Sequence, residues 1–224
     1  MDGAERQAEP VRRSAPLPAK FEEELLAAVG SHQASRYRER LSSAEVAFRR
    51  ERYLDARRTL APVMDELVSV PSARELNGLT LYRLGRWKAA AAELEAHRTL
   101  TGSAEHLPVL ADCYRALRRH RQVAVLWEDL KQASPSAAIV AEGRIVMAGS
   151  MADRGDLRGA IALLRPAVGV PRRIREHHLR LWYVLADLLD RSGDTTGARK
   201  LFLRIRDVDH EFADVTDRLA ALGR

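Results

Sequence analysis

Cysteine is almost absent from this chain of 224 residues: Cys113 stands alone. A lone thiol cannot close a disulfide within the chain or supply a four-cysteine metal site. Aromatic residues are scarce at 5%, the only asparagine is Asn77, and the only lysines are Lys20, Lys88, Lys131 and Lys200. No stretch approaches the roughly 20 apolar residues of a membrane span. Residues 1–18 lack the apolar run of a secretory signal. They carry Pro10, Pro16, Pro18 and the pair Arg12-Arg13 with no aromatic, which reads as a flexible tail. The expectation is a cytoplasmic protein whose residues 19–224 form one helical domain.

What remains is ordinary globular composition, 46% hydrophobic and 30% charged. Ala, Leu and Arg dominate, and all three favour helices. The net charge is +6, from 37 basic and 31 acidic side chains, and nearly all of the basic ones are Arg. That balance fits affinity for phosphate or acidic surfaces. It equally fits coding biased toward Arg, since acidic residues are interspersed throughout.

Glu22, Glu23 and Glu24 mark the first turn of a helix, where the dipole favours anions, and Gly30 marks its stop. From about Ala34 onward helical patterns follow one another, with no alternating strand pattern. The turns between them repeat. Arg52-Tyr53-Leu54-Asp55-Ala56 is matched by Arg86-Trp87-Lys88-Ala89-Ala90. Gly155-Asp156-Leu157-Arg158-Gly159-Ala160 is matched by Gly193-Asp194-Thr195-Thr196-Gly197-Ala198. Arg118-Arg119-His120-Arg121-Gln122-Val123 is a weaker copy. The closing small residues at 56, 90, 123, 160 and 198 lie 34, 33, 37 and 38 apart. A period near 34 with two helices per unit indicates a stacked helical repeat.

The residues within each unit resemble the tetratricopeptide repeat (TPR) family. Leu107, Leu110, Ala111, Tyr114, Trp127 and Pro135 fall at the family spacings, as do Trp182, Leu185, Ala186, Gly193, Asp194, Ala198 and Phe202. Gly78, Leu81, Gly85, Trp87, Ala90 and Leu94 form another copy, and Met147, Ala148, Met151, Gly155, Asp156, Ala160 and Leu164 a further one. The first copy is the most divergent, with Ala44, Tyr53, Ala56 and Leu60. The segment 101–112 is also similar to bacterial TPR proteins of unassigned role. The resemblance covers about residues 37–210. It implies an all-α, right-handed superhelical solenoid of about five helix pairs, with an N-terminal helix and a capping helix at Phe212 to Leu222.

No catalytic motif is visible. Cys113 falls in a helix, where a cysteine usually packs as a small apolar residue. The pair His177-His178 has no third ligand at metal-binding spacing. Ser192 to Lys200 fails the phosphate-loop spacing and follows no strand. The expectation is therefore no enzyme, no metal and no cofactor.

The family resemblance implies a binding groove built from the first helix of each pair. Projected onto this chain, its facing positions are Arg38, Phe48, Arg49, Glu75, Tyr82, Arg83, Asp112, Arg115, Asp153, Arg180, Tyr183, Asp187, Asp190 and Arg191. Arginines interleaved with aromatics suit a peptide carrying carboxylates. Glu75 and Asp112 stand where chaperone-binding members need donors, so a chaperone tail is not the expected ligand. The reading is a protein-interaction scaffold with a protein or peptide partner, and no membrane. The alternative is an RNA- or ribosome-associated repeat protein that uses two arginine-rich turns. These are Arg115, Arg118, Arg119 and Arg121, then Arg172, Arg173, Arg175 and Arg180.

Small residues at Gly78 and Ala198 let paired helices approach closely in this register. Gly78→Leu and Ala198→Leu are each expected to cost about 1–3 kcal/mol by overpacking. Urea midpoints measure the loss, and unchanged midpoints for both would refute the register.

Overall fold

The computed structural model describes residues 16–223. Among these, eleven α-helices occur and no strand. They are α1 (Ala19–Arg49), α2 (Tyr53–Leu60), α3 (Pro71–Arg83), α4 (Trp87–Thr101), α5 (Leu107–Ala116), α6 (His120–Ala133), α7 (Ala137–Asp153), α8 (Leu157–Leu164), α9 (Glu176–Arg191), α10 (Thr195–Val208) and α11 (Val215–Leu222). No described helix is long and apolar enough to cross a membrane. The chain divides into two compact units, one ending at Thr101 and one starting at Gly102. Most of the expected tail, residues 1–15, lies outside the described residues. Within its last three, Leu17 is buried in the first unit's core.

In the first unit α1 is interrupted at Gly30, where φ is +73° and ψ 164°. The chain turns there, so α1 is two helices in series, as the sequence suggests. The front part buries Phe21 and Leu25 in one cluster with Tyr37, Leu41, Leu60, Leu67 and Leu76. The front acidic residues also act across the fold. Glu24 accepts a hydrogen bond from Ser72 N at 2.7 Å, at the start of α3. The Tyr37 hydroxyl donates to Glu66. The second part of α1 packs on α2 and α3, and α3 packs on α4.

The second unit pairs α5 with α6, α7 with α8, and α9 with α10, and α11 closes on α10. Its largest apolar cluster centres on Trp182 and Phe202, both fully buried, with Leu164, Leu188 and Ile205.

The repeat is written most plainly in the backbone. The first helix of each pair ends in the same two bonds. The donors Arg52, Arg86, Arg119, Asp156 and Asp194 each reach the carbonyl five residues back, at 2.8–3.0 Å. The preceding residues Glu51, Gly85, Arg118, Gly155 and Gly193 each reach the carbonyl three residues back, at 2.9–3.0 Å. This is the Schellman termination, which needs a left-handed residue just past the helix. All five have positive φ: +58°, +69°, +57°, +85° and +89°. The final two turns add an aspartate cap, with Asp156 and Asp194 accepting from Gly159 N and Gly197 N at 2.8 Å. The Gly-Asp pairs of the sequence are thus a helix stop followed by a helix start.

Glu51 and Arg118 hold a left-handed conformation that costs a residue with a Cβ roughly 1–2 kcal/mol. Glycine escapes that cost but loses more entropy on folding. The net expectation is that Glu51→Gly and Arg118→Gly each stabilise the chain by about 0.5–1 kcal/mol. A rise in the urea midpoint of each variant is the measurement.

Candidate functional site

The positions expected to line a groove fall on the first helix of each pair, and the structure sorts them by what already holds them. Three arginines are braces between helices. Arg38 sends Nε to both Glu22 oxygens at 2.9 and 3.0 Å, and its Nη2 also donates to that carboxylate. Those bonds hold the Glu22 carboxyl below its ordinary range. Arg115 on α5 forks onto Asp153 of α7, Nε to Oδ2 at 2.6 Å and Nη2 to Oδ1 at 3.2 Å. It also lies 3.7 Å from Asp112. A Cβ on Gly149 would come within 2.6 Å of this guanidinium, so glycine leaves the room it occupies. Arg180 on α9 reaches Glu142 of α7 at 2.8 Å. Burial pushes the Glu142 carboxyl up, and the Arg180 charge opposes that shift.

In the last pair the expected positions are engaged by the chain itself. Arg218 of α11 places Nη2 2.9 Å from Asp187 and 3.1 Å from Asp190. Tyr183 donates its hydroxyl to Asp214 and packs edge-on against Phe202 at 5.6 Å. Burial, aided by the Asp214 bond, pushes the Tyr183 hydroxyl up to about 12. Arg191 lies 3.5 Å from Asp187. These side chains seat the capping helix. The signal the sequence reading missed was Arg218 and Asp214, acting back on the preceding pair.

The first unit is different. Arg49 pairs with Glu45, one turn earlier on the same helix, at 3.4 Å, and is 58% exposed. Arg83 reaches Glu51 at 3.6 Å and is 48% exposed. Its guanidinium lies over the Tyr53 ring, 4.8 Å from the centroid. Phe48 meets the same ring edge-on at 5.5 Å. Tyr82 meets Trp87 in the same way at 5.4 Å, and Glu75 is half-buried on α3. Tyr53, which the sequence marks only as a turn residue, is therefore the platform that joins Phe48 to Arg83.

Cys113 and the pair His177-His178 have structural explanations. Cys113 is buried, and burial raises its thiol to about 12, so little reactive thiolate forms at neutral pH. His178 Nδ1 accepts from Arg175 N at 3.0 Å, which starts α9. The His177 ring sits 4.0 Å from it, and burial lowers the His177 pKa.

No protein-family model matches the chain, and no curated protein matches it in sequence. Solved structures do. A thermophilic TPR protein of Thermus thermophilus, TTC0263, superposes with a TM-score of 0.61 at 19% identity, covering 82% of this chain and 96% of that one. The TPR domain of P58(IPK) matches at 16% identity with a TM-score of 0.45, over 85% of this chain and 56% of that one. The first likeness establishes a TPR-type, all-α helical-repeat fold.

The Arg115–Asp153 brace has a pH signature. Bonding to Arg115 lowers the folded pKa of Asp153. Its contribution is therefore complete above the unfolded carboxylate value of about 3.9 and is lost as pH falls through the lower folded value. Arg115→Met should destabilise the chain more at pH 6 than at about pH 2. Urea unfolding of both proteins at each pH measures this, and an equal loss at both would contradict it.

Proposed function

We propose that this chain is a scaffold that binds an extended acidic segment of a partner protein, and that Phe48, Arg49, Tyr53 and Arg83 in the first unit carry the contact. The observation behind this reading is the Arg83 guanidinium laid over Tyr53, with Phe48 against the same ring; Arg49 follows Phe48 in the chain and is exposed. The TPR-type fold adds support, because helical repeats present stacked helix faces as binding surfaces.

The energetics favour these two arginines over the others. Exposed ion pairs such as Arg49–Glu45 and Arg83–Glu51 are worth about 0–1 kcal/mol. An incoming carboxylate can replace them with a forked, charge-assisted pair at little cost. Arg83 is already oriented by its aromatic platform, so less side-chain freedom is lost on binding. Arg38 and Arg115 are bound in two-point contacts between helices. Withdrawing either would weaken the fold.

A peptide array rich in Asp and Glu, interleaved with aromatics, provides the probe. The double variant Arg49→Glu and Arg83→Glu should lose the acidic peptides while its far-UV circular dichroism stays unchanged. Retention of the same peptides by the double variant would place the contact elsewhere.

A further inference from the structure

The two arginine-rich turns noted in the sequence are not alike once folded. In the second, Arg180 is drawn to Glu142 and the Arg175 backbone starts α9. In the first, Arg115 is withdrawn into its brace with Asp153. The side chains left at the α5–α6 turn, together with the residue just past α7, line a depression of about 510 Å³: Arg118, Arg119, His120, Arg121, Gln122 and Arg154. We propose that this depression binds a phosphate-dense anion, independently of the peptide contact in the first unit.

Three observations carry the proposal. First, charge is concentrated and uncompensated. Four arginines line the depression and no carboxylate does. All four are exposed, and none makes an ion pair among the described residues. The neighbouring carboxylates are committed elsewhere: Asp112 and Asp153 to Arg115, and Asp156 to the backbone N–H of Gly159. Second, part of the lining is held in place. His120 Nδ1 lies 2.8 Å from the hydroxyl of the buried Ser150, and the Arg119 guanidinium sits 5.9 Å from the Tyr114 ring centroid. Third, Arg118 occupies the left-handed turn position that glycine fills in three of the four equivalent turns, Gly85, Gly155 and Gly193. Backbone economy favours glycine there, and Arg118 is exposed, so neither the turn nor core packing calls for the arginine.

The ligand class follows from the donors. Planar guanidinium forks match phosphate oxygens. A cavity of this size lies within the usual range for small ligands, about 300–1,000 Å³. No Phe, Tyr or Trp lines it, and its polar groups are the four guanidiniums, the His120 imidazole and the Gln122 amide. The chemistry selected is a short run of phosphates. A condensed phosphate offers this, and so does a nucleic-acid backbone.

Titration calorimetry of the full chain with sodium tripolyphosphate at low salt is the test. Saturable binding that weakens as salt rises is expected. Arg118→Gly, Arg121→Gln and Arg154→Gln should each weaken it about tenfold. Arg118→Gly should do so while raising the urea midpoint, which separates lost contact from lost fold. Arg172→Gln with Arg173→Gln, in the other basic run, should leave affinity unchanged. Mixed-sequence RNA that displaces tripolyphosphate, with the same sensitivity to the three variants, identifies backbone phosphate as the source. Binding that RNA does not displace identifies a free phosphate chain. No heat of binding, or equal weakening by the Arg172 and Arg173 substitutions, overturns the site.

Discussion

Paired helices in this chain meet where their side chains shrink almost to nothing. Ala44, Ala148 and Ala186 on the first helices, and Ala56, Ala90, Ala160 and Ala198 on the second, are wholly buried. Gly78 shows how little room is left, since a Cβ there would sit 3.0 Å from Leu94. Close backbone approach lets the larger residues, Trp182, Phe202 and the leucines, fill the space around each contact at interior density. The Schellman turns then return the chain in the same sense each time. With these two constraints met, the apolar positions are committed, and function is left to what the helices show on their outer faces.

Those outer faces are not uniform. An arginine bound at two points to a carboxylate on another helix is part of the fold. An arginine that is about half exposed and held by one carboxylate at 3.4–3.6 Å is tied more loosely. By this criterion Arg38 and Arg115 contribute to stability, Arg180 holds Glu142 by a single contact at 2.8 Å, and Arg49 and Arg83 are the arginines to which the proposed function assigns recognition. The last pair carries the same logic further. Asp187, Asp190 and Tyr183 seat α11, which is how a repeat array finishes without leaving an apolar face bare.

The sequence disclosed the fold well because a helical repeat states its rule several times. The small residues at 56, 90, 160 and 198 and the Gly-Asp turns are local signals, and repetition separates them from chance. Even the weak copy at Arg118 ends in the same backbone turn as its siblings, with Val123 buried in the small slot. The candidate site was less legible. Family register places a residue on a face but does not reveal which carboxylate reaches it. Glu22 lies on the helix before Gly30 and Arg218 on the cap, outside the repeating pattern that directed attention to Arg38 and Asp187. Tyr53 was hidden for a related reason: it belongs to a turn, yet its ring supports Arg83 from the next pair.

The central claim is that, within each unit, helix pairs locked by small-residue contacts stack on their neighbours. Hydrogen exchange on an Ala160→Leu variant, resolved along the chain, tests it most directly. In a helical repeat, stability is held in each pair and its adjoining contacts. Faster exchange should therefore centre on α7, α8 and α9 and leave α1 to α4 at wild-type rates. Acceleration spread evenly from α1 to α11 would mean one shared core and would contradict the account.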